Sequence, residues 1–231
     1  MIPILYQTVT EGSVPSDYGI GALTDCLACS VTEERNGSYE LTLSYASGGI
    51  HADEIQVNCI IKAKPNFTDN PQLFRIYKVG KNMNGRFEVN AQHITYDLSG
   101  KIITSGTAST CATACTLLTG SAGNFTISTT KTVTAPFKVT EPSSVRSWFG
   151  GKAGSLLDVY GTGEWQYDNF GAELKLNRGA DRGVTIRYGK NLTELSQEID
   201  IQNLATAAQG YYKDSEKIGR ASCRERVLFL V

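Results

Sequence analysis

Cys26 and Cys29 stand three apart in Cys26-Leu27-Ala28-Cys29, the spacing of a metal or redox pair. A structural zinc takes about four ligands, yet no second pair of this kind and no nearby His follows. The two read as reduced thiols on a strand, where alternation would set residues three apart on opposite faces. Cys111 and Cys115 are four apart in a stretch of helical character, so they share one face and read as small packing residues. The two histidines, His51 and His93, are the candidate general bases. Nucleophilic catalysis needs such a base beside a nucleophile, with an acid to orient it. His93 precedes Asp97 by four residues, but no Gly-x-Ser-x-Gly elbow occurs. Gly150-Gly151-Lys152-Ala153-Gly154-Ser155 has the look of a phosphate loop, but Ala153 follows the lysine where a Ser or Thr would hold magnesium. It reads as a glycine-marked break between two short helices. Gly19-Ile20-Gly21 is a fragment of a dinucleotide fingerprint without a β-α-β setting. Glu33 and Glu34 read as solvated edge charges that discourage sheet-to-sheet pairing. No catalytic, cofactor-binding or metal-ligating residue is assigned, and no cofactor is expected.

Composition narrows the class. The 231 residues are 41% hydrophobic and 19% charged with net charge -1, which suits one large or two small folded domains. No basic patch suggests nucleic-acid binding, and no apolar run approaches the roughly 18 residues of a membrane span. The N-terminus has neither the basic nor the long apolar part of a secretory signal, so the six cysteines are expected reduced.

The elements that would position side chains are mostly strands. Residues 2–7, 26–34, 38–45, 59–63, 72–79 and 87–91 carry strand patterns, and Tyr39, Leu41, Leu43 and Tyr45 fall on one face. Asn36-Gly37 predicts a two-residue type I′ hairpin turn, and Asn84-Gly85 a second turn. Residues 51–55 suggest a single helical turn. The pattern changes near residue 101. A helix is predicted over 109–118, strands over 124–130 and 135–139, helical character over 142–148, opened by a cap-like Ser after Pro142, and over 154–160, and strands over 165–169, 172–176 and 184–188.

Several ordered stretches resemble the phage minor structural protein family, also described as prophage endopeptidase tail, tail-associated lysin or siphophage tail-tip hub. They are GIGALTDC, VTEERNGSYELTLSY, HADEI, IIKAKPN, QLFRIYKV, AQHITYDLSGK, SWFGGKAGSLLDVYGTGEWQYDNF and NRGADRGVTIRYGKNLTEL. The resemblance implies a mainly β fold with α+β character: a baseplate-hub-like antiparallel β-barrel unit followed by an α+β domain. The expected division is 1–100 for the β hub domain, 101–195 for the α+β domain, 196–217 for the truncated start of a next β unit, and 218–231 for a non-native tail. The implied function is a structural tail-tip or baseplate hub of a siphophage or prophage, in the virion and made in the bacterial host cytoplasm. It would dock to the distal tail protein and contribute to host attachment and DNA passage. Implied partners are two further copies in a homotrimer of the full-length protein, the distal tail protein, the tape measure protein and the host cell wall. Neither sequence-specific nucleic-acid binding nor a membrane span is implied. The alternative is the N-terminal scaffold of a tail-associated peptidoglycan endopeptidase whose catalytic domain lies outside these residues. Either way this stretch is not expected to be an enzyme.

The last residues stand apart. Ile218 to Val227, IGRASCRERV, resemble a translated short-read sequencing adapter residue by residue. An adapter beginning AG before that frame also requires a preceding codon for Lys, Gln or Glu, and Lys217 satisfies it. Residues 218–231 are therefore expected to be foreign to the gene.

Overall fold

The computed structural model describes residues 1–179 except Asn82, then 183–192 and 194–195, and the backbone of 210–213 and 218–221. The chain forms two compact units, Met1–Ala180 and Asp181–Val231.

The first unit is mostly β. Its main sheet has seven strands: β1 (Ile4–Tyr6), β2 (Gly21–Ala22), β3 (Cys26–Glu33), β4 (Tyr39–Ala46), β5 (Ile60–Ala63), β6 (Gln72–Lys81) and β7 (Arg86–His93). They lie in the order β2-β1-β5-β6-β7-β4-β3, with every neighbouring pair antiparallel. The sheet curls into a half-barrel. Alternation explains which face is buried. In β4, Tyr39, Leu41, Leu43 and Tyr45 are all buried, while the residues between them are not. They pack with Leu5, Ile61, Phe74, Ile76 and Val89 from neighbouring strands into one core. Each fully buried Leu or Ile contributes roughly 1.5–3 kcal/mol.

The opposite face is covered only over β1, β5 and β6. There Ile4, Tyr6, Ile60 and Leu73 belong to a second core, completed by the chain after residue 100. That part comprises β8 (Ile102–Ile103), β9 (Gly106–Thr110), helix α1 (Cys111–Thr119), β10 (Thr126–Thr129), β11 (Thr134–Val139), β12 (Ser143–Ser144), the short helix α2 (Leu156–Val159), β13 (Glu164–Asp168) and β14 (Gly171–Lys175). A sheet in the order β10-β14-β13, with β10 parallel to β14, lies alongside the two-stranded β11-β9 and β12-β8 sheets. In α1, Thr110 and Thr113 form a reciprocal capping box, and Cys111, Ala114, Cys115 and Leu118 make its buried stripe. The two cores share one continuous unit, so the change in composition near residue 101 marks a change of layer within it.

Three local expectations are corrected. The Asn36-Gly37 turn is not a two-residue type I′ turn. Glu33 pairs with Tyr39, Glu34 N–H bonds Ser38 C=O, and only Asn36 of the loop has a left-handed φ, of 56°. Tertiary contact is the cause: the Asn36 amide donates to Gly163 C=O at 2.8 Å and accepts from Trp165 N–H at 2.9 Å, so the loop is shaped to grip the start of β13. Residues 51–55 form successive turns with His51 at φ 67°, not a helical turn. Residues 184–188 are not a strand. Val184, Ile186 and Tyr188 are exposed and Tyr188 makes only an isolated bridge to Leu192, because the described residues provide no ladder beside them.

In the second unit, Gly210–Lys213 (β15) pairs antiparallel with Ile218–Ala221 (β16). Four residues of the stretch expected to be foreign thus pair with the segment before it. Of the expected next β unit over 196–217, only β15 is described. Residues 222–231, with Cys223, lie outside the described residues.

Candidate functional site

His93 ends β7 and is wholly buried. Its Nε2 lies 3.0 Å from Gln72 Oε1 and its Nδ1 lies 2.9 Å from Thr95 Oγ1. The Gln72 amide is oriented by its other bonds: Nε2 donates to Asp168 Oδ1 and Asn70 C=O, and Oε1 accepts from Asn169 N–H at 2.7 Å. His93 Nε2 must therefore carry the proton, and Nδ1 accepts from Thr95. Burial, with the nearby Arg146 guanidinium adding, pushes the imidazole pKa down to about 3. A ring that stays neutral, with Tyr39 stacked on it at 4.5 Å, is a structural group. The chain does not join it to Asp97, whose carboxylate is held by Arg75 at 2.6 and 2.9 Å.

The same network continues into the β10-β14-β13 sheet. Asn169 Oδ1 accepts from Leu73 N–H at 2.9 Å, and its amide donates to Pro71 C=O and Asp168 Oδ1. Asn169 adopts φ 52° in the β13–β14 turn, a conformation Asn tolerates better than most residues. Gln72, His93, Asp168 and Asn169 thereby bolt the turn to the main sheet. Sequence reasoning missed this joint, because its members are scattered over nearly a hundred positions and only the Asn at a turn hinted at it.

The cysteines resolve differently from the expectation. A bulge in β3 between Cys26 and Ala28 shifts the register, so Cys26 opposes Tyr45 and Cys29 opposes Leu43. Tyr45 and Leu43 share a face, and Cys26 and Cys29 therefore share one too, contrary to the simple alternation. Desolvation of its sulfur by the surrounding protein, then the neighbouring Cys26, pushes the Cys29 thiol up to about 11, although the residue as a whole keeps an exposed surface. Among the described residues no cluster of three His, Cys, Asp or Glu could hold a metal ion. Cys111 and Cys115 meet on the buried side of α1. The hydrogen bond from Cys115 draws the Cys111 thiol down from its ordinary value, assisted by Thr129 and the Lys131 ammonium. Lys131 is itself buried, with its Nζ donating to the carbonyls of Tyr160, Gly161 and Thr162 at 2.7–3.0 Å. In the glycine-rich loop, Lys152 Nζ sits 3.6 Å over the Trp148 ring and 3.7 Å from Glu141, a packing role. His51 faces Glu54 at 3.8 Å on the surface turns.

Two exposed features remain. One is β3, the outermost strand of the main sheet. From Cys26 to Thr32 it carries no charge, and Leu27, Ala28, Cys29 and Ser30 are exposed. Edge strands are commonly blunted by Lys, Pro or covering loops, and β3 has neither Lys nor Pro. The other is the outer face of the β10-β14-β13 sheet, where the rows Thr126–Gly171–Asp168 and Ser128–Glu173–Gln166 lie in register. Asp168 lines three depressions, of ≈ 280, ≈ 260 and ≈ 150 Å³.

No protein-family model matches the chain, and no curated protein matches it. A solved structure does share its architecture: prophage tail protein gp18 from Listeria monocytogenes EGD-e matches with a TM-score of 0.62. The fold is that of a prophage tail protein. The match covers 97% of this chain and 68% of the Listeria protein, at 16% identity. The Listeria tail protein thus shares the mainly β architecture while most residue identities differ, as expected when buried pattern rather than particular side chains specifies a fold. Among the described residues no helix is long and apolar enough to cross a membrane.

Proposed function

We propose that this chain is a structural protein of a phage or prophage tail, and that it serves at the tail tip as a hub module. The fold shared with the Listeria tail protein over nearly the whole chain carries the reading. The exposed stretch of β3 from Cys26 to Thr32, which carries no charge, supports it, since an open ladder of that length is suited to pairing with a strand of a neighbouring subunit. In this reading three copies form a ring that docks to the distal tail protein and passes the tape measure protein and DNA. The chain acts as scaffold and not as a hydrolase, and any peptidoglycan endopeptidase belongs to a further domain of the same product. His93 supports a scaffold role, because a neutral ring bonded on both nitrogens has no free lone pair for general-base work.

The test is to purify virions or induced prophage particles and label them with gold-tagged antibody raised against residues 1–180. Label at the tail tip is expected. Label spread along the tube, or absence of the chain from the particles, would overturn the proposal. In parallel, the purified chain is expected to release no muropeptides from cell walls.

A further inference from the structure

We infer that the polar trough on the outer face of the β10-β14-β13 sheet binds a short stretch of neutral saccharide chain. Its floor is at Gly171, whose φ is not left-handed, so the backbone does not require glycine there. A Cβ at this position would meet only the Asp168 carbonyl oxygen, at 3.2 Å, and would otherwise stand in the trough. Around that gap the groups are hydroxyl, amide and carboxylate. The side chains of Thr126, Ser128 and Gln166 make no hydrogen bond among the described residues and line the depressions. Asp168 is held ready by others: its Oδ1 accepts from Gln72 and Asn169, both at 3.0 Å, and its Oδ2 from Asn70 at 3.3 Å. A carboxylate fixed by amides of a buried network is preorganised to accept from vicinal hydroxyls without losing side-chain entropy on binding.

The ligand class follows from these groups. Donors and acceptors are mixed, which matches sugar hydroxyls, each both donor and acceptor. Three carboxylates, Asp69, Asp168 and Glu173, stand against the one ammonium of Lys175 along the trough, so an anion is disfavoured. The lining offers no deep apolar socket of the kind a peptide side chain fills. The depressions cross three strands, roughly 10 Å at the usual strand spacing, about the length of two pyranose rings. Directly before the trough-lining Thr68 in the chain, Phe67 is fully exposed on a turn locked by Asn66. A solvent-facing ring on a fixed turn provides the flat apolar surface on which the C–H face of a sugar stacks. The site stands on this geometry alone and does not depend on the tail proposal.

The experiment is saturation-transfer NMR on the full chain with chitotriose and, separately, maltotriose, followed by titration. At least one probe is expected to bind, with a dissociation constant of about 1 mM as befits a few solvent-facing hydrogen bonds. Chitotriose alone would indicate an N-acetylated chain, and maltotriose alone a plain hexose chain. Gln166→Ala and Phe67→Ala are each expected to weaken binding about tenfold, whereas Tyr18→Ala, exposed outside the trough, leaves it unchanged. Both test residues lie outside the cores, and unaltered tryptophan fluorescence will confirm that the variants fold. No transfer from either probe at about 10 mM, binding indifferent to both trough variants, or tighter binding of dextran sulfate than of the neutral probes would overturn the proposal. Failure here leaves virion labelling unaffected, so the two ideas fall separately.

Discussion

Acid should destabilise this fold through His93 in a pH range where carboxylates are still ionised. The imidazole is buried, with its pKa down to about 3 from a usual value of 6.5. The sign follows from proton counting. Between pH 6.5 and 3 the unfolded chain holds a proton on this residue and the folded chain does not, so lowering the pH favours unfolding. The linkage approaches 1.4 kcal/mol per pH unit, and between pH 7 and pH 5 it amounts to about 2 kcal/mol. Urea unfolding followed by fluorescence suits the measurement, since Trp148 and Trp165 are both buried in the same unit. The comparison is with His93→Gln, which has no titratable ring. Other groups, including the Cys111 thiol, are common to both proteins and cancel in the difference. The variant is expected to start less stable, because Gln72 and Thr95 lose well-placed partners, and to lose about 2 kcal/mol less than wild type on going from pH 7 to 5. Parallel pH profiles would refute the reasoning and show that His93 takes up its proton without unfolding.

Further outcomes follow from other named contacts. Asn36→Ala should cost about 2–4 kcal/mol, combining two hydrogen bonds to Gly163 and Trp165 with a left-handed backbone that Ala tolerates poorly; the urea midpoint reads it. Lys131→Met should cost about 3 kcal/mol, because the buried Tyr160 carbonyl and the part-buried carbonyls of Gly161 and Thr162 lose their donor, whereas Lys175→Met, which breaks a half-exposed pair with Glu173, should cost under about 1 kcal/mol. Cys29 should react with iodoacetamide at pH 8 roughly a hundredfold more slowly than a free thiol, with the rate rising tenfold per pH unit as the thiolate fraction grows; the alkylation rate of a variant whose other cysteines are Ser checks this. Genomic DNA read through the codon for Lys217 should depart from one encoding IGRASCRERV, and continuation of that sequence would show residues 218–227 to be native.

Local pattern determined six of the seven strands of the first hundred residues, all but the two-residue β2. The period-2 run Tyr39–Tyr45 can bury four large side chains only if it is extended with one face inward, and no partner need be known to see it. Helix α1 was legible in the same way, from Ala and Leu without strand alternation. Tertiary structure decided what depends on a partner. The Asn36 loop abandons its preferred hairpin turn because a strand more than a hundred residues away requires its amide. The two thiols of β3 come to one face because a bulge moves the register, which no spacing rule reveals. Residues 184–188 have a strand's composition but no described ladder beside them, and an extended run without cross-strand hydrogen bonds gains nothing to offset its lost entropy. The joint of Gln72, His93, Asp168 and Asn169, and the trough beside it, were invisible for a related reason. Each member is an ordinary polar residue in its own segment, and its role exists only once folding has brought side chains from distant segments within hydrogen-bond distance.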